Sequence, residues 1–182
     1  SNFDKHNHEI DPDNIFFWRM NEKRLEAEQI RDSLLFVSGK LDGSHKNVSD
    51  FQTGIKNTGK ELRKYIGETK SRSIYIPSLR DNKIEVLDIF DRPDNSLLNA
   101  ERSVTTVSTQ ALFLMNNPKI IALAKEQAQE LSDVNKIFLK FLGRPPSEVE
   151  LEASIDFIEA DDSNLAHLIQ ILICTGEFRN VK

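Results

Sequence analysis

Apolar positions recur at helical spacing along most of this chain, and Gly, Pro and Asn mark the breaks between the runs. The longest run predicts a helix over 13–38, with Asp13-Asn14 as its cap and Gly39 closing it in a left-handed turn. Phe17, Met20, Arg24, Ala27, Arg31 and Leu34 share one face of that helix, and Ile30 and Val37 widen the stripe. Two arginines therefore fall on the face expected to be buried. Residues 39–70 are polar and interrupted by Gly43, Gly54, Gly59 and Gly67, which predicts a long loop with at most one short helix over 60–66. Residues 73–76 read as extended, stopped by Pro77, and form a candidate edge of a minimal hairpin.

The rest of the pattern is helical. A short helix over 83–90 turns Ile84, Leu87 and Phe90 inward, and Pro93 prevents its continuation. Ser108 or Thr109 can cap a helix through 111–115, after which Asn116-Asn117-Pro118 breaks the chain and restarts it, with Asn117 as N-cap and Pro118 at the first helical position. A helix over 134–142 ends at Gly143, one over 147–158 opens on a Ser147/Glu150 capping box, and Asp162-Ser163-Asn164 caps a last helix to Thr175, closed by Gly176. The expected fold is mainly α: an irregular multi-helix domain with a long loop and at most one short hairpin. It occupies 13–182 behind a flexible extension over 1–12, and 133–182 is a candidate C-terminal helical subdomain.

Composition narrows this picture. The 182 residues are 38% hydrophobic and 29% charged, as in an ordinary globular domain. The formal net charge of -5 argues against a general grip on nucleic acid or anionic membrane, and no stretch approaches the length of an apolar membrane span. From residue 133 onward nine Asp/Glu face five Lys/Arg, so an anion-binding surface is expected in the first two-thirds of the chain. Cys174 is the only cysteine, which excludes an intrachain disulfide, and its apolar surroundings predict a buried, inert thiol.

Several blocks then match one pattern. Trp18-Arg19, Arg24-Leu25-Glu26-Ala27-Glu28-Gln29-Ile30-Arg31-Asp32-Ser33-Leu34-Leu35, Ser38-Gly39 and Leu41-Asp42 open it. Arg72-Ser73-Ile74-Tyr75-Ile76-Pro77, Phe90-Asp91 with Pro93-Asp94, and Arg102-Ser103-Val104-Thr105-Thr106-Val107 continue it. Gln110-Ala111-Leu112-Phe113-Leu114-Met115-Asn116-Asn117-Pro118, Leu142-Gly143-Arg144-Pro145-Pro146 with Glu150, and Glu177-Phe178 close it. Taken in order, these blocks resemble the planctomycete-type family called domain of unknown function fifteen-fifty-three, from Asn14 almost to the end. The resemblance implies the C-terminal part of a long bacterial protein exported to the periplasm or cell surface, with a companion domain of unknown function and often a cytochrome-c-like domain. It implies no established activity. The Gly-rich stretch of that family is only partly matched by Asp42-Gly43-Ser44-His45-Lys46.

Arginine carries the candidate chemistry. Of ten arginines, Arg19, Arg24, Arg31, Arg72, Arg92, Arg102 and Arg144 lie in these blocks, whereas lysines crowd the polar segments between them. The arginine fork suits fixed bidentate contacts with carboxylates and carbonyls. One reading is a basic cleft for an acidic, sulfated or carboxylated sugar, formed by Arg19, Arg24, Glu28, Arg31, Asp32, Arg72, Tyr75, Arg92 and Arg102. The favoured reading is structural, with Arg24, Glu28, Arg31 and Asp32 pairing along one helix. Thr105, Thr106, Gln110, Asn116 and Asn117 form a second polar set that could bind sugar but more often caps helices. The corner at Met115-Asn116-Asn117-Pro118 is expected to pack on the first long helix beside Arg102. His6, His8, Glu9, Asp11 and Asp13 offer metal-ligand chemistry without the spacing of a closed site, and a mobile polar extension is the favoured reading.

No catalytic triad motif, phosphate loop or haem-attachment cysteine pair is present, so no cofactor is expected in this chain. The expected role is a non-catalytic helical interaction or scaffold module, partnered by companion domains of the same parent chain. The alternative is a carbohydrate-binding or carbohydrate-processing component that takes acidic polysaccharide. Neither nucleic acid nor direct membrane insertion is expected.

Overall fold

A computed structural model of the chain describes residues 3–47, 59–77, 84–93, 105, 107–161 and 163–181. The fold is mainly α. In chain order the elements are α1 (Lys5–Ile10), β1 (Lys23–Arg24), α2 (Ala27–Val37), α3 (Gly59–Glu68), α4 (Glu85–Ile89) and α5 (Ser108–Asn116). Then follow α6 (Pro118–Glu130), α7 (Val134–Leu142), α8 (Glu148–Ala160), α9 (Asn164–Cys174) and β2 (Asn180–Val181). Short 3-10 turns cover Ser73–Tyr75 and Glu177–Arg179.

The most apolar helix, α9, is the packing centre of the C-terminal half. Leu168, Ile169, Leu172 and Ile173 repeat at helical spacing and are buried against α5, α6, α7 and α8. Facing it, α6 presents Ile120, Leu123, Ala124 and Gln127, and α7 presents Val134, Ile137, Phe138 and Phe141. On the N-terminal side Ala27, Ile30, Leu34 and Val37 of α2 meet Ile84, Leu87 and Phe90 around α4, and all these apolar residues belong to one continuous core.

Local chemistry sets the ends of these helices. Asn117 caps α6 by accepting from the Lys119 amide at 2.9 Å, with Pro118 at the first position, as the sequence predicts. Asp133 caps α7, whose far end turns at Gly143 with φ +72, a conformation that costs a side-chain-bearing residue. Ser147 and Glu150 form the expected reciprocal box at the start of α8.

Several expectations require correction. The helix expected over 13–38 begins only at Ala27, because polar side chains capture the preceding backbone. The Asp11 carboxylate accepts from the Ile15 and Phe16 amides at 2.9 and 2.8 Å, and Asn14 binds both the amide and the carbonyl of Arg19. Asn14 and Phe17 adopt φ of +56 and +53, which a helix cannot hold, and the start of α2 is marked by Gln29 accepting from the Glu26 amide. Phe17 and Met20, expected in the buried stripe, are exposed.

The segment expected to precede any folded element carries α1, capped by Asp4. Residues 73–76 form a 3-10 turn instead of a strand, because Asp32 accepts from the Ser73 amide and hydroxyl and pins it to α2. The antiparallel pair lies elsewhere and joins the two ends of the chain, with Lys23 opposite Val181 and Arg24 opposite Asn180. Helix α5 starts at Ser108 without a side-chain cap from Ser108 or Thr109, and Gly176 has φ -62 and closes no left-handed turn.

Because Ile169 is fully buried at the point where α5, α6, α7 and α8 converge on α9, Ile169→Ala is expected to destabilise the fold by about 3 kcal/mol. Ile155→Ala, at a position 41% exposed on α8, should cost less than about 1 kcal/mol in the same denaturant titration.

Candidate functional site

The buried guanidinium of Arg31 organises the first polar network. From the middle of α2 it donates to the carbonyls of Thr69 and Ser71 and to the Ser73 hydroxyl, and Asp32 lies 3.5 Å away. Burial pushes the Arg31 pKa down and Asp32 pulls it up. Asp32 in turn holds the Ser73 amide and hydroxyl, and Arg72 approaches it at 3.9 Å from an exposed position. Thus one i,i+1 pair on α2 fastens the strap over 69–73 to the helix. Tyr75, just beyond, meets the His45 ring in a tilted contact with ring centroids 5.0 Å apart.

The second network gathers residues far apart in sequence. Arg24 lies in β1, ahead of the helix, so the expected helical i,i+4 pairing with Glu28 does not apply. Its guanidinium donates to the Thr105 carbonyl and the Gln110 side-chain oxygen, 3.5 Å from Asp91. Asp91, at φ +68, accepts from the Thr105 amide and hydroxyl at 2.9 and 2.7 Å. Gln110 is fully buried and also donates to the Ile89 carbonyl. Every described polar group here is answered from within the chain, so the cluster ties β1, α4 and α5 together.

The remaining candidates scatter. Arg19 stacks over Trp18 and Phe3 at 5.1 and 5.8 Å, with the His8 ring against the same aromatics. Arg92 pairs with Asp88 at 2.9 Å, and Glu28 is half-buried on α2. Asn116 is exposed at the end of α5, whereas Asn117 is buried and donates to Glu85. The corner they form docks on α9, where Gln170 donates to the Leu114 and Met115 carbonyls, and so does not rest on the first long helix. Arg102 and Thr106 lie outside the described residues. Among the described residues no cluster of His, Cys, Asp and Glu could hold a metal, and the Asp11 carboxylate is engaged by backbone amides. Burial raises the pKa of the Cys174 thiol, in keeping with the inert reading.

One open concavity stands apart from these closed networks. A cleft of about 630 Å³ lies between α2 and α6, with the C-terminal end of α3, the start of α4 and Phe113 completing its walls. Leu34, Leu35, Ile84, Val86, Ile120 and Leu123 make the lining largely apolar. Five cations (Arg31, Lys40, Lys64, Lys70, Lys119) and three anions (Glu68, Glu85, Glu126) also line it, so it is net positive in a net negative chain. Of the seven arginines in the sequence blocks, Arg31 alone reaches this cleft among the described residues, and its donors are committed to the strap.

The order of the blocks agrees with the outcome of comparison with known families. The model of the family described as PSD1, Protein of unknown function (DUF1553), matches residues 1–158. The chain belongs to this family. No curated protein and no solved structure matches this DUF1553 domain.

Sequence reasoning missed several members of the networks. Asp91 and Ser73 were legible only as parts of the Phe90-Asp91 and Arg72-to-Pro77 blocks, and Thr69 and Ser71 carried no signal, because their partner Arg31 lies about forty residues away in sequence. Lys40, Lys64 and Lys70 fall in the polar segment over 39–70 and Lys119 in the helix that restarts at Pro118, and none carried a binding signal. A third network, with Arg144 bidentate to Glu150 and also bonded to Glu177, locks the start of α8 to the turn after α9.

Two outcomes are expected. Arg31→Lys should destabilise the domain by about 3 kcal/mol in denaturant titration, since one ammonium cannot reproduce the fork that answers the strap carbonyls. Hydrogen bonds from Arg144, then from the Ser147 amide, lower the Glu150 pKa from 4.5 to about 2. A depressed carboxylate pKa stabilises the fold above the unfolded value, and this is lost as pH falls from about 4.5 to about 2. The melting temperature of Arg144→Gln should therefore fall less steeply than wild type across that window.

Proposed function

We propose that this DUF1553 domain is a non-catalytic helical interaction module of a longer exported protein, binding companion domains of its parent chain. The observation that carries the reading is the turn Ile15-Phe16-Phe17, whose side chains are 67%, 81% and 79% exposed. Asp11 and Asn14 brace its backbone with side-chain hydrogen bonds, and the Trp18 indole donates to the Asp11 carbonyl. A rigid loop that displays consecutive large apolar residues to water has the character of a protein-docking surface. Ordering is already in place, which lowers the entropic cost of association.

The arginines support the same reading. Arg24, Arg31, Arg92 and Arg144 are committed to internal partners, which removes these four forks from fixed-geometry recognition of an acidic polysaccharide. The parent protein is proposed to reside in the periplasm or at the cell surface, on the strength of family membership.

The test uses the parent chain cleaved between this domain and its companions. The wild-type domain should co-elute with the rest, whereas Phe16→Ser with Phe17→Ser should elute alone and melt within about 2 °C of wild type. Co-elution of the double variant would overturn the proposal, and so would turnover of an acidic polysaccharide by the isolated domain.

A further inference from the structure

We infer that the cleft between α2 and α6 is a binding site for a small amphiphilic anion, a ligand with an aliphatic body and a single carboxylate or comparable acidic head. The site is distinct from the apolar turn and does not depend on it.

The lining sets the class. The cleft's volume of about 630 Å³ lies within the range of small-molecule pockets, and such pockets are mostly apolar with a few convergent polar groups. Leu35, Val86 and Phe113 are only half-buried, although each lines the cleft beside core residues. Aliphatic walls fit a hydrocarbon body.

Charge sets the head group. Lys40 is paired with Glu126, Glu85 accepts from Asn117 and Glu68 also lines the cleft, so five cations face three anions there. Lys64, Lys70 and Lys119 are exposed, line the cleft, and have no ion-pair partner among the described residues. Lys119 also sits in the first turn of α6, which contains no acidic residue. The helix dipole favours an anion at that end. The apolar lining and the unpaired cations occupy the same concavity, which matches the two ends of one amphiphile.

The experiment is titration of the whole domain with dodecanoate, with dodecanol as the uncharged probe of equal chain length and heparin as the polyanion. Dodecanoate should bind saturably at one site and lose at least about tenfold in affinity in Lys64→Ala with Lys119→Ala and on raising salt. Ala122→Trp, an exposed cleft position on α6, should block binding while the circular dichroism spectrum is retained. Phe16→Ser with Phe17→Ser should leave dodecanoate binding intact. Equal affinity for dodecanol would overturn the inference by removing the role of the lysines. So would dodecanoate binding that survives Ala122→Trp, or heparin binding in the absence of dodecanoate binding.

Discussion

A charged guanidinium cannot be left alone in a protein interior, and that constraint shapes the N-terminal half of this domain. Arg31 lies on the buried face of α2 at 6% exposure, where water cannot solvate it. The strap over 69–73 must therefore bring its carbonyls and a hydroxyl to the helix. Asp32 completes the arrangement by taking the Ser73 amide and hydroxyl, so the strap is fixed by charges on adjacent residues. The end of α3 is carried in with the strap, and the cleft against α6 is the space that remains.

The same economy recurs at two other places. Arg24 joins Asp91, Thr105 and Gln110, and Arg144 joins Glu150 and Glu177. Each network connects segments that are distant in sequence and would otherwise meet only through nonspecific apolar contact. Arginine is suited to this work, because its planar donors impose direction where hydrophobic packing does not. Function is consequently sought outside the closed arginine networks: at the braced apolar turn and at the lysines that rim the cleft.

Membership of the DUF1553 family accounts for the order of the blocks within residues 1–158, and the structure gives many of the blocks a physical task. The Arg24-to-Leu35 block supplies both anchoring arginines of the N-terminal half. The block from Gln110 to Pro118 supplies the buried amide of the second network and the capped restart of α6. Glu177, in the closing block, answers Arg144 across thirty-three residues.

Local signals were legible wherever the deciding interaction spans a few residues. The Asn117-Pro118 start, the Ser147/Glu150 box, the Gly143 turn and the inward set Ile84, Leu87 and Phe90 all depend on neighbours within about one turn, and all stand as read. The buried place of Arg31 and the mainly α class were legible for the same reason. What the sequence could not decide was which distant group would claim each polar atom. Asp11 and Asn14 drew the backbone over 14–19 away from the helix its periodicity suggested. Asp32 turned 73–75 into a 3-10 turn, and Asp91 and Gln110, not Glu28, received Arg24. Those choices belong to tertiary structure, because an interior polar group takes whichever partner the assembled fold brings within hydrogen-bond reach, and separation along the chain sets no limit on that.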